Sequence, residues 1–183
     1  TSWAAPQPTD EGYKVAFSTD VNGEPIYTPE MTYEEKYAAA EQAALAFFEA
    51  AGYTVEGGKV TAAPEGAKTS YELSVPGQGT GDHPAFAIIT GARDSLAKIG
   101  MELVINDPAD SNILWDALDS GEQELWTAAR GSTIDPDMYQ VYHSNNIPGL
   151  EGSSESNHYH IQDPELDQLI IDARKSDDQN YRK

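Results

Sequence analysis

The first 30 or so residues show no lasting hydrophobic period of 2 or 3.6. Pro, Gly, Asp and Thr separate Trp3, Tyr13, Phe17 and Tyr27, a pattern that predicts an extended arm over 1–30 packing through its aromatic rings. The rhythm changes at MTYEEKYAAAEQAALAFFEAAGY. Ala, Leu and Phe recur there at helical spacing, Thr32 and Glu35 stand as a capping box does, and Gly52 offers the left-handed residue that ends a helix. YTVEGGKVTA predicts a hairpin turning at Gly57-Gly58, since two-residue hairpin turns need positive φ. SYELSV alternates as a strand does, and DHPAFAIITGARDSLAKIG predicts a helix with Asp82 as cap, Pro84 in its first turn and Gly100 as stop. MELVIND reads as a strand. DSNILWDALDSG reads as a helix from Asp110 or Ser111 to Ser120, closed by Gly121, and EQELWTAA as a third strand. This alternation implies right-handed crossovers and an α/β fold, a mixed, largely parallel sheet flanked by helices. DPDMYQVYHS then predicts a short helix with Asp135 as cap and Pro136 at its first position, and NNIPGLEGSSES a mobile loop. DPELDQLIIDARKS repeats the Asp-cap, Pro-first pattern at Asp163 and Pro164, with Leu166, Leu169, Ile170 and Ala173 on one face.

Charge narrows the possible partners. The 183 residues carry 31 acids against 11 bases, a formal net charge of −20. Non-specific nucleic-acid affinity comes from Lys and Arg replacing counterions, so this balance argues against nucleic acid and anionic membrane. With no cysteine, disulfides, thiolate nucleophiles and Cys-ligated zinc are excluded. No apolar run approaches the ~20 residues that span a bilayer.

Several clusters invite a chemical reading. In an extended segment His158 and His160 point to one side, with His143 and Asp163 near in sequence, a set able to hold zinc at about 2 Å. Asp163 already serves as a helix cap, however. The competing reading puts Tyr159 and Ile161 in the core and leaves the histidines in solvent or in ordinary hydrogen bonds. That reading is preferred, and no metal site or other cofactor is assigned. Acid pairs such as Asp135/Asp137 and Glu122/Glu124 would meet a glycosidase's carboxylate spacing by chance in so acidic a chain. No G-x-S-x-G occurs, and GQGTG at 77–81 lacks the ending of a phosphate loop, so it reads as a loop. Trp126 stands at the end of the third strand, where open parallel sheets bind their ligands. It is a candidate platform beside the small Thr127, Ala128 and Ala129, or else a core residue covering the sheet.

The order of AALAFFEAAGY, ARDSLAKIGMELVI, WDALDSGEQELWTAA, DPDMYQVYHS and SNHYHIQDPELDQLIIDARKSDDQNYRK resembles the second lobe of the extracellular solute-binding proteins of peptide ABC transporters, oligopeptide/dipeptide-binding family 5. The likeness runs over 37–183. It implies a type II periplasmic-binding-protein lobe over 31–183, cut from a longer two-lobed receptor, with Asp177 capping a helix that continues beyond the chain. It also implies a cell-surface location, by lipoprotein anchoring in the full-length protein, and partners in the missing first lobe, a peptide or related small solute and an ABC permease. No catalysis is implied. In the family the strand matching LWTAA lies along the ligand, as an added strand would, and Trp126 matches the cleft tryptophan. An aspartate three residues later holds the peptide's ammonium group in the dipeptide and oligopeptide binders. Here that position is Ala129, and 127–134 contain no acid. Either Asp135 or Asp137 takes that role, or the ligand lacks an amine there, the family also including nickel, sugar and opine binders. Arg130 is a candidate partner for an anionic group on the ligand. A small acidic hydrolase and a surface interaction module are the competing classes.

Overall fold

The computed structural model describes residues 19–128, 135 and 137–182. Of the expected arm, 1–18 lie outside these, as do Ala129, Arg130 and Pro136. Thr19 and Pro25 pair in an isolated antiparallel bridge. The Asp20 carboxylate closes that turn, accepting from the amides of Asn22 at 2.8 Å and Glu24 at 2.9 Å.

The chain divides into two compact units. One holds the described residues up to Leu73 together with Pro84–Ile105. Its first helix, α1 (Tyr33–Ala50), starts at the expected capping box: Thr32 Oγ1 accepts from the Glu35 amide at 3.3 Å, and Glu35 Oε2 from the Thr32 amide at 2.7 Å. Strands β1 (Thr54–Glu56) and β2 (Lys59–Ala62) form the antiparallel hairpin, with Gly57 and Gly58 at φ 57° and 76° in its turn. β3 (Ser70–Ser74), α2 (Phe86–Lys98) and β4 (Glu102–Asn106) follow. Leu45, Val60, Ile99 and Met101 make the core, with Phe48, Tyr53, Tyr71 and Leu96 packed on it. Each such side chain contributes about 1.5–3 kcal/mol on full burial. The start of α2 departs from expectation. Its N-cap is Ala85, with no side-chain bond, and the Asp82 carboxylate instead accepts from the Thr80 hydroxyl two residues away. A shorter loop bond has captured the expected cap.

The second unit comprises Ser74–His83 and the described residues from Asn106 onward. It receives the C-terminal ends of β3 and β4 and adds α3 (Asn112–Ser120) and β5 (Leu125–Trp126). The strand order is β4-β3-β5, a parallel sheet distinct from the antiparallel hairpin. In this unit the Val75 amide donates to Asn106 O at 2.8 Å and the Thr127 amide to Ser74 O at 3.0 Å. β5 is far shorter than EQELWTAA predicts, because side-chain bonds replace its early ladder. Gln123 Nε2 donates to Leu125 O at 2.8 Å, and Gln123 Oε1 accepts from the Ser74 hydroxyl at 3.0 Å. Val75, Leu114 and Leu118 are buried almost completely.

Beyond β5 come α4 (Tyr139–Tyr142), a 3-10 turn (Ser144–Asn146), α5 (Pro164–Ala173) and α6 (Gln179–Arg182). α5 is capped as expected, Asp163 Oδ1 accepting from the amides of Glu165 and Leu166. Ile170 is buried, whereas Leu169 on the same predicted face is exposed. α4 begins at Tyr139, whose amide donates to Asp137 Oδ1 at 3.0 Å, so Asp135 is not its cap. Before α6 the Asp178 carboxylate accepts from the Asn180 amide at 2.9 Å. The loop expected to be mobile is tied down instead. Asn146 Nδ2 donates to Tyr139 O at 2.8 Å, Ser153 Oγ to Ile147 O at 2.8 Å, and Asn146 Oδ1 accepts from the Ser154 amide at 3.2 Å.

Candidate functional site

Trp126 is the last residue of β5 and is half-buried. Its ring lies 4.9 Å from Tyr159, tilted by 34°, and Tyr159 in turn stacks on Tyr142 at 5.5 Å and 16°. His158 meets Trp126 nearly perpendicular, 6.2 Å between centroids, and Trp115 of α3 at 5.4 Å. Trp126, His158 and Tyr159 border an open pocket of about 370 Å³ lined also by Ser120, Gly121, Gln123, Glu124 and His160. The tryptophan is therefore neither a free platform nor sealed under the sheet.

The pocket's second wall comes from 156–161, which is a turn and not the extended segment expected. Asn157, wholly buried, ties it down. Its Nδ2 donates to Ile161 O at 3.1 Å, His143 O at 3.2 Å and Tyr142 O at 3.4 Å, while its Oδ1 accepts from the Ile161 amide at 3.3 Å. His160 sits at φ 52°, a left-handed conformation that turns its ring onto the end of α3. There Nε2 is 2.9 Å from Leu118 O, and the ring packs where a Cβ on Gly121 would come within 3.4 Å. The turn overturns the expected facing in part: Tyr159 is 48% exposed rather than in the core, Ile161 is half-buried like the two histidines, and His160 makes an ordinary hydrogen bond.

His143 is buried against the Tyr139 ring at 4.5 Å, and its Nδ1 accepts from the Asn145 amide at 3.1 Å. Asp167 Oδ1 lies 3.5 Å from that nitrogen. Burial pushes the Asp167 carboxyl up, but bonds from the Ser144 hydroxyl and amide, with His143 beside it, outweigh burial and hold it below its ordinary value. Among the described residues no group of three or more His, Asp or Glu side chains is placed to hold a metal ion.

The other predicted ligand residues fall in two places. Thr127 is half-buried beside Trp126, its Oγ1 buried without a hydrogen-bond partner among the described residues, and Ala128 is exposed. Asp135 and Asp137 line a different pocket, of about 480 Å³, with Arg174, Lys175 and Arg182. Asp135 Oδ1 accepts from Arg182 at 2.7 Å, which holds its carboxyl below the ordinary value. Arg174 Nε lies 3.3 Å from Asp137 Oδ2, its guanidinium 4.5 Å over the Tyr139 ring. Sequence reasoning overlooked Asp119, whose Oδ1 is 3.1 Å from His158 Nδ1. The signal was present, since Trp115 and Asp119 are four residues apart on α3 and so share a face.

The arrangement has the α/β fold of a type II periplasmic-binding-protein lobe. Among solved structures it resembles the oligopeptide-binding protein AppA of Bacillus subtilis, solved with a nonapeptide, at TM-score 0.58 and 20% identity over 92% of this chain and 32% of that one. A periplasmic oligopeptide-binding protein of Thermotoga maritima, solved with mannohexaose, matches at TM-score 0.59 and 18% identity over 77% of this chain and 26% of that one. NikZ of Campylobacter jejuni, in complex with Ni(L-His), matches at 0.52 and 19% over 80% and 28%. The chain spans less than a third of the length of each. No family model and no curated protein matches the sequence. At these identities the likeness is one of fold.

Proposed function

We propose that residues 31–183 form the ligand-binding lobe of an extracellular, family 5 type solute-binding protein that delivers a peptide or related small solute to an ABC importer. The observation that carries this reading is the open pocket at the end of β5, bordered by the half-buried Trp126. In a parallel sheet the carboxyl ends of the strands are where ligands gather. The fold shared with three solute-bound proteins supports it. Function on this reading is binding without catalysis. A solute bridges this lobe and a second one, and its contacts to both shift the open–closed balance. In the full-length protein the receptor sits at the cell surface, held there as a lipoprotein.

The residues proposed to meet the ligand are Trp126, Thr127, Ala128, Ala129, Arg130, Asp135 and Asp137. An ammonium group reaching either aspartate has to compete with Arg182 or Arg174, which already face them. A solute without an amine there suits the surface better.

Titration of the chain with a nonapeptide, mannohexaose and Ni(L-His), followed at the Trp126 indole by NMR, tests this. A complete receptor binding at ~1 μM corresponds to about −8 kcal/mol, and half of that leaves about −4, or millimolar. One solute is expected to shift the indole in that range, and Trp126→Ala to abolish binding as read from the solute's own resonances. Submicromolar binding by this chain alone contradicts a site shared with a second lobe. Absence of any shift at about 10 mM, tenfold above the expected constant, removes the reading.

A further inference from the structure

The imidazole of His158 has two unlike sides. Nδ1 is buried, 3.1 Å from Asp119 Oδ1, and at that angle it makes no hydrogen bond. Nε2, across the ring, has no hydrogen bond among the described residues and is not among the buried polar atoms, and the ring lines the pocket beside Trp126. His143 and His160 differ, since a ring nitrogen of each is already engaged by the backbone. Trp115 and Trp126 hold the His158 ring in place.

A neutral imidazole carries one N–H and one lone pair, and a carboxylate only accepts. A lone pair on Nδ1 would oppose the Asp119 oxygen at 3.1 Å, whereas an N–H there is attracted to it. The Asp119 side chain is 47% exposed and so has room to rotate into line. The partner on one ring nitrogen thereby decides what the other presents. Here the other is a lone pair at Nε2, facing the pocket.

We propose that His158 is a ligand-binding residue of this pocket, accepting at Nε2 a hydrogen bond from a donor on the solute, an amide N–H or a sugar hydroxyl. Asp119 is the positioning residue that selects the tautomer. The inference rests on the solute-binding reading above and deepens it. At this point of the pocket a donor is accepted and an acceptor, such as a carboxylate, is refused.

Long-range ¹H–¹⁵N spectra of the labelled chain above neutral pH read the tautomer directly, before and during titration with N-acetyl-trialanine amide and, separately, mannohexaose. The expected result is a protonated Nδ1 and an unprotonated Nε2 on His158, the Nε2 resonance moving with one of the two probes. The probe that moves it identifies peptide or sugar as the source of the donor. His158→Phe should raise that probe's Kd about five- to tenfold, the usual worth of one such bond. Asp119→Ala, at an exposed helix position, should mix the two tautomers and weaken binding less, and it keeps the test open if the Phe variant misfolds. A proton on Nε2 in the unliganded chain overturns the proposal. A Trp126 indole that responds while Nε2 does not, with His158→Phe binding as well as the parent, overturns it and leaves the solute-binding reading standing. Silence of both residues toward both probes overturns the proposal, and the solute-binding reading falls with it if Ni(L-His) and the nonapeptide are silent too.

Discussion

Asn157→Ala is the most informative single perturbation of this fold. The side chain is wholly buried and joins the backbone at Tyr142, His143 and Ile161. Its two shorter bonds, at 3.1 and 3.2 Å, are worth about 1 kcal/mol each by ordinary net values. Truncation also strands the Ile161 amide, and an unsatisfied buried group adds about 1–3 kcal/mol. The expected loss is about 3–5 kcal/mol, a large part of a domain's typical 5–15. In urea, with a slope of about 2 kcal/mol/M, the midpoint should fall by about 1.5–2.5 M. Far-UV circular dichroism read together with tryptophan fluorescence follows the transition. Asn157→Asp, nearly the same shape, should be worse than Ala at neutral pH, because a carboxylate oxygen would then face three carbonyl oxygens. An Ala variant within about 1 kcal/mol of the parent, or an Asp variant no worse than Ala, would refute the assigned network.

Two other substitutions follow from the same geometry. Asp167 has a lowered pKa, held down by Ser144 against the effect of burial, so it stabilises the fold above the unfolded value near ~3.9, and that contribution is lost as pH falls through its folded value. The stability gap between the parent and Asp167→Asn, measured by urea midpoint from pH 6 to 3, should therefore narrow in acid; a constant gap contradicts the assignment. Gly77→Ala places a Cβ 2.7 Å from Asp107 Oδ1 and should cost about 1–3 kcal/mol by overpacking, read as a fall in Tm. A Tm within a degree of the parent would show that the Asp107 carboxylate moves freely.

Local chemistry was legible along the chain at several places where the bond concerned closes within four residues. The Thr32–Glu35 box, the Gly57-Gly58 turn and the Asp163-Pro164 cap all stand as the sequence predicts. The same reasoning misplaced Asp82 and Asp135, since a cap depends on which of several nearby donors reaches the carboxylate first. Asp82 went to Thr80 two residues away, and Asp135 to Arg182, 47 residues on.

The candidate site was legible only in part. Trp126 was marked by its place at the end of a strand, but its ring partners come from a turn some thirty residues later. The left-handed His160 in that turn goes with an exposed Tyr159 and half-buried histidines, which alternation in an extended segment cannot foretell. Asn157 looked like one polar residue among many until its four bonds were in view.

By itself, then, the sequence determined the α/β alternation, the starts of α1 and α5, the hairpin turn and the absence of thiol chemistry, because these depend on side chains near one another along the chain. Tertiary structure alone decided which side chains of 156–161 turn inward, which carboxylates meet arginines and which rings surround His158. Those outcomes depend on contacts between groups distant in sequence, whose partners no local pattern names.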